Sequence, residues 1–164
     1  MSDSKSHEQP VHVTLSVQNP GTEALAVQWT IANRGDDTVH LLSSERMPYL
    51  LPGPDSMLYL LQGVNPPDPM KSYNAIEIPT TAALEPGSSI NGTLTLLPLR
   101  FRDHYGDLDA DTSISGEVGL RFQVGWGKTP ILASERHKLN INTMLSWQTL
   151  AESETVHITL PAAR

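Results

Sequence analysis

The stretch Gly116-Glu117-Val118-Gly119-Leu120-Arg121-Phe122-Gln123-Val124-Gly125-Trp126 alternates strictly in character. Val118, Leu120, Phe122, Val124 and Trp126 fall on one side, and Gly119, Arg121, Gln123 and Gly125 on the other. Successive side chains of a strand point to opposite faces, so a period of two makes one dry face and one wet face; on a helix the same residues would be spread around the circumference. This stretch is therefore expected to be a strand that covers a core with one face only.

The same rhythm recurs on both sides of it. Val11, Val13, Leu15 and Val17 alternate with His12, Thr14, Ser16 and Gln18, and Asn19-Pro20-Gly21 closes that strand with turn chemistry. Leu25, Val27, Trp29 and Ile31 follow, ending at Asn33-Arg34-Gly35-Asp36-Asp37, and then a short strand at Val39–Leu42. Met57–Gln62 is a compact apolar run read as a strand, Ala75–Ile78 a short edge strand, and Leu84-Glu85-Pro86-Gly87 a turn before Ile90, Leu94 and Leu96. Leu139 and Ile141 are expected to end another strand, and Val156, Ile158 and Leu160 to mark a last one. Within residues 144–154, Met144, Trp147 and Ala151 have helical spacing while Leu145, Trp147 and Thr149 suit a strand. The strand is expected there, because short apolar runs take the state of their surroundings. No other segment offers a helix. Eight to nine short strands separated by turn signals predict an all-β chain, an antiparallel β-sandwich with long irregular loops.

Length allows one domain: a polar, disordered tail over residues 1–10 and a single β domain over 11–164. The 38% hydrophobic content supplies enough core that neither a metal nor a disulfide is required by size. There are no cysteines, which removes disulfides, thiolate metal sites and cysteine nucleophiles together and fits a reducing compartment. With no apolar leader at the start and no run long enough to span a bilayer, the chain is expected in the cytoplasm if Met1 is the native start, with no membrane partner. Lys and Arg number 11 against 18 Asp and Glu, a net charge of -7, so nucleic acid is not an expected partner.

The blocks VTLSVQNPGTEALAVQWTIANRGDDTVHLL (13–42), LEPGSSINGTLTL (84–96) and GEVGLRFQVGW (116–126) resemble the strand rhythm of bacterial immunoglobulin-like domains. Among these they are most similar to the BsuPI-type intracellular proteinase inhibitors. The resemblance covers most of the chain and rests on the order of strands and turns. It implies an immunoglobulin-like fold, in which Trp29 would plug the core, and an intracellular domain able to inhibit a protease. The chain departs from the antibody pattern in lacking cysteines and from the BsuPI pattern in its proline-rich insertions and its final strand.

Several motifs suggest chemistry. Asp107, Asp109 and Asp111 have the D-x-D-x-D spacing that can aim three carboxylates at calcium, but Thr112 stands where an EF-hand loop needs glycine and Val118 where it needs a bidentate acid. The plainer reading is a solvated acidic loop. Arg34-Gly35-Asp36 reads as a strand connection and Asn91-Gly92-Thr93 as an idle sequon inside a strand. Gly125-Trp126-Gly127-Lys128-Thr129 reads as a hairpin tip, since the first glycine of a phosphate loop would fall at Phe122. His12, His40 and His157 lie on polar strand faces, where a metal site would require neighbouring strands. Met47, Met57 and Met70 fit gap filling better than a soft-metal site. No catalytic residues are assigned and the chain is not expected to be an enzyme, because no nucleophile elbow, metalloprotease helix or dinucleotide loop occurs.

What remains is the loop surface. Met47–Ser56 and Gly63–Asn74 are long for such a fold and hold apolar residues among prolines, which lower the entropy lost on capture. Tyr49, Leu50, Leu51, Met70 and Tyr73 are the expected partner-binding residues, with Leu50 and Leu51 alternatively folding back as a lid on the core. The expected function is a non-enzymatic protein-binding module, monomeric or paired edge to edge as a homodimer; an intracellular protease inhibitor and a calcium-binding β domain are the alternatives.

Overall fold

The computed structural model describes residues 9–18, 25–71, 78–110 and 114–161, and among these strands dominate. In chain order they are β1 (Val11–Gln18), β2 (Ala26–Asn33), β3 (Val39–Ser43), β4 (Tyr49–Pro52), β5 (Met57–Gln62) and β6 (Thr80–Leu84). They continue with β7 (Ser89–Thr95), β8 (Arg102–Asp103), β9 (Gly106–Asp107), β10 (Gly116–Gly127), β11 (Thr149–Glu152) and β12 (Val156–Leu160). Strands β1, β2 and β7 make a three-stranded antiparallel sheet in that order. The larger sheet is built around β10, and β8 with β9 forms a separate two-residue hairpin.

Strand β10 contains the strictly alternating stretch Gly116–Trp126. One edge of it pairs in parallel with β5 along Gly119–Val124 and then antiparallel with β3 at Trp126 and Gly127. The other edge pairs antiparallel with β12 along Gly116–Leu120 and with β11 along Gln123–Trp126. Between β11 and β12 the ladder is interrupted, and Ser153 repairs it. Its N–H donates to the Phe122 carbonyl and its Oγ accepts from the Phe122 N–H, both at 2.9 Å. Buried backbone groups need such partners, and a buried serine supplies them where the strand is broken.

The two sheets share one core. Val118, Leu120, Phe122, Val124 and Trp126 face it from β10, and Val27, Trp29 and Ile31 from β2. Trp29 stacks on Phe122 with ring centroids 4.6 Å apart. Its indole also lies across Gly92 of β7, where a Cβ would come within 2.3 Å of the ring. That contact gives the glycine of the idle sequon a packing reason. On the opposite face of the large sheet a second cluster forms from Leu42, Val64, Ile131 and Met144.

This second cluster carries the principal departure from sequence expectation. Residues Ala133–Lys138 form a 3-10 helix and Ile141–Trp147 an α-helix, α1, where strands were expected. Asn140 caps α1, its side chain accepting from the Thr143 N–H at 2.9 Å. The helix turns Met144 into the cluster and ends at Trp147, whose indole N–H donates to the Thr129 carbonyl at 3.0 Å. Beyond Gln148 the chain becomes β11, with Ala151 opposite Val124. Both spacings seen in residues 144–154 were therefore real and divide at Gln148.

Two smaller corrections follow from the strand order. Tyr49–Pro52, assigned to a loop, is a strand paired with Leu58–Leu61. The acidic loop that begins at Asp107 is entered through the β8–β9 hairpin. Pro10 accepts from the Arg34 N–H at 2.7 Å, and residues 1–8 of the expected tail lie outside the described residues. Most of the Ala75–Ile78 edge strand also lies outside them, and the strand that is described there begins at Thr80. No helix among the described residues is long and apolar enough to cross a membrane.

Candidate functional site

The outer face of β10 consists of Gly119, Arg121, Gln123, Gly125 and Gly127, and its three glycines decide what can lie on it. A Cβ on Gly127 would sit 2.1 Å from the Trp147 ring, and one on Gly125 would sit 2.1 Å from Gln148 Oε1. The missing side chains form a flat bed on which the end of α1 rests. Gly63 contributes to the same bed, because its Cβ would meet Gln148 Oε1 at 2.7 Å. From there Gln148 acts like a short piece of strand. Its Nε2 donates to the Val64 carbonyl and its Oε1 accepts from the Val64 N–H, both at 2.9 Å.

This pair of hydrogen bonds pins the start of the proline-rich loop to the end of the helix. The loop is held at its next residue as well. Asn65 Nδ2 donates to Asp103 Oδ2 at 3.1 Å, Asn65 Oδ1 accepts from the His104 N–H at 3.2 Å, and the Asn65 carbonyl accepts from the Tyr105 hydroxyl at 2.6 Å. The β8–β9 hairpin is thereby fixed over β4, with Tyr49 and His104 hydrogen-bonded at 3.1 Å and both buried.

Between the pinned loop and α1 lies a groove of about 490 Å³, lined by Leu51, Leu61, Pro66, Leu145, Leu150 and Gln123 among others. Its apolar walls come from four secondary-structure elements, β4, β5, α1 and β11, and from the proline-rich loop. Leu150 is 41% exposed there. Beside it, Glu152 binds both Arg121 and Gln123, the latter at 2.7 Å, so the polar residues of the outer face are tied down at the groove's edge. The arrangement offers shape, apolar area and a few fixed amides, which is the chemistry of recognition.

The expected partner-binding residues fare unequally. Tyr49 is only 2% exposed and Leu50 only 6%, so neither stands on an open loop; Leu50 faces the main core from within strand β4. Leu51 lines the groove. Met70 is 90% exposed on the loop beyond it, and Tyr73 lies outside the described residues.

Of the calcium candidates, Asp107 and Asp109 are exposed, Asp107 standing 4.0 Å from Arg102 Nε, while Asp111 lies outside the described residues. Among the described residues no three His, Cys, Asp or Glu side chains gather as a metal site would require. His40 and His157 belong to strands on opposite edges of β10, and His12 to the other sheet. The three methionines are likewise apart: Met57 packs on Gly119, Met47 on the second cluster, and Met70 projects outward.

Sequence reasoning missed Leu61, Leu145, Gln148 and Leu150. The signal that could have found them was the recurrence of glycine on the supposedly wet face of β10, which implies that something packs there. No protein-family model matches the chain, and no curated protein matches it significantly.

Proposed function

We propose that this protein is a non-enzymatic binding module of the cytoplasm that docks an apolar segment of another protein in the groove between its proline-rich loop and α1. We further read the two sheets as an immunoglobulin-like β-sandwich, a reading supported by their shared core across Trp29 and Phe122. The observation that carries the functional proposal is the groove itself. Leu51, Leu61, Leu145 and Leu150 line a depression whose walls are held by Gln148 and Asn65. A surface prepared in this way loses little entropy on binding, and each apolar side chain a partner buries there contributes roughly 1.5–3 kcal/mol. A protease inhibitor of the plug type needs an exposed, extended loop, and the burial of Tyr49 and Leu50 in β4 favours the groove over the Met47–Ser56 segment.

The test is affinity capture from native lysate with wild type and Leu150→Asp. Leu150 is exposed enough for the variant to fold, so capture of the partner is expected to fall at least tenfold while the thermal midpoint stays close to wild type. Equal capture by both proteins would remove the groove from the account.

A further inference from the structure

Two sheet edges run side by side on one flank of the molecule, where β1 lies close to β11 and β12. Strand β1 is the last strand of the small sheet, and β11 and β12 end the large one. The bond from the Arg34 N–H to the Pro10 carbonyl sets the phase of the β1–β2 ladder. Because antiparallel pairing alternates, His12, Thr14 and Ser16 direct their backbone groups to β2, and Val11, Val13 and Leu15 direct theirs to the free edge. Among the described residues these three have no backbone partner on that side.

Exposed edges are ordinarily guarded by charge, proline or a bulge. Val11–Gln18 contains no proline and no Lys, Arg, Asp or Glu. Alongside it lies an open cleft of about 800 Å³, whose lining includes His12, Thr14, Leu150, Glu152, Glu154 and Val156. The wall facing β1 thus carries two carboxylates and no lysine or arginine. Glu152 is engaged by Arg121, whereas Glu154 is exposed to solvent.

We propose that the free edge of β1 receives an extended segment of a partner protein as an added strand, and that this segment bears lysine or arginine on alternate residues, so that one of them meets the carboxylate of Glu154. The proposal rests on the binding-module reading and names the chemistry of the partner. Strand addition draws affinity from main-chain hydrogen bonds and specificity from alternate side chains. Charge selects a basic segment over a second copy of this chain, because two copies would each bring a net charge of -7 and the same carboxylates to one seam.

The experiment selects a phage-displayed library of random eight-residue peptides on the full-length protein, then measures amide hydrogen exchange with the enriched peptide bound. The expected peptides alternate apolar residues with lysine or arginine. They slow exchange at Val11, Val13 and Leu15 at least tenfold, and they bind Glu154→Lys at least fivefold more weakly. Enriched peptides without an excess of cations, or peptides that leave the β1 amides unchanged, would overturn the proposal. So would sedimentation showing a dimer whose formation protects those same amides. Peptides that protect Val64 and Leu145 instead would overturn it while leaving the groove reading in place, and no enrichment at all would count against both.

Discussion

The two faces of β10 obey different rules although they belong to one strand. The inner face is large and apolar, and each side chain fills space: Phe122 and Leu120 are fully buried, and Trp29 stacks on the former. The outer face works by omission, since Gly119, Gly125 and Gly127 leave room for Met57, Gln148 and Trp147. The inner face makes the fold stable. The outer face positions a helix and a loop so that a groove remains between them. A glycine on the polar side of a strand is thus as definite an instruction as a valine on the apolar side.

Substitutions on the inner face are expected to have the largest effect. Phe122→Ala removes the ring that meets Trp29, and is expected to cost about 3–5 kcal/mol, read as a shift of the urea midpoint. From the outside the effects are smaller and local. Gly127→Val would drive a branched side chain into the Trp147 ring and is expected to cost about 1–3 kcal/mol, with loss of the indole bond to Thr129 visible in the tryptophan side-chain NH signals. Gln148→Ala leaves both backbone groups of Val64 without their partner, and should cost about 1–2 kcal/mol while speeding exchange at the Val64 amide. Gly125→Ala should be destabilising in wild type and nearly neutral in the Gln148→Ala background, because the atom it strikes is then gone; a double-mutant cycle measures that coupling. Met70→Ser, on a side chain that touches little, should change stability by less than about 0.5 kcal/mol in thermal unfolding.

How much of this was legible in the sequence follows from the same contrast. The strands at Val11–Gln18, Ala26–Asn33, Ser89–Thr95 and Gly116–Gly127 were readable because each has one apolar face, so period-two alternation reports it directly. Tyr49–Pro52 was not, because it is covered on both faces, with Leu50 against the core and Tyr49 beneath His104, and a strand covered on both faces does not alternate. The helix at Ile141–Trp147 escaped because seven residues give too few turns for a periodic signal, and its stability comes from burying Met144 rather than from propensity. The helical spacing of Met144 and Trp147 was outweighed by the strand pattern of Leu145, Trp147 and Thr149. Of the groove, Leu51 stood out in the sequence as an apolar residue among prolines, but the walls opposite it come from Leu145 and Leu150, far along the chain, and the glycine bed of β10 connects them.

The groove held open by Gln148 and Asn65 is the proposed partner site. Site-specific photo-crosslinking in the native cell tests it most directly, with the reactive side chain placed at Leu51, at Leu150 and, as a control, at the exposed turn residue Gly87. The same polypeptide should be captured from both groove positions and not from Gly87. Adducts of equal yield at all three positions, or none above background at Leu51 and Leu150, would contradict the account.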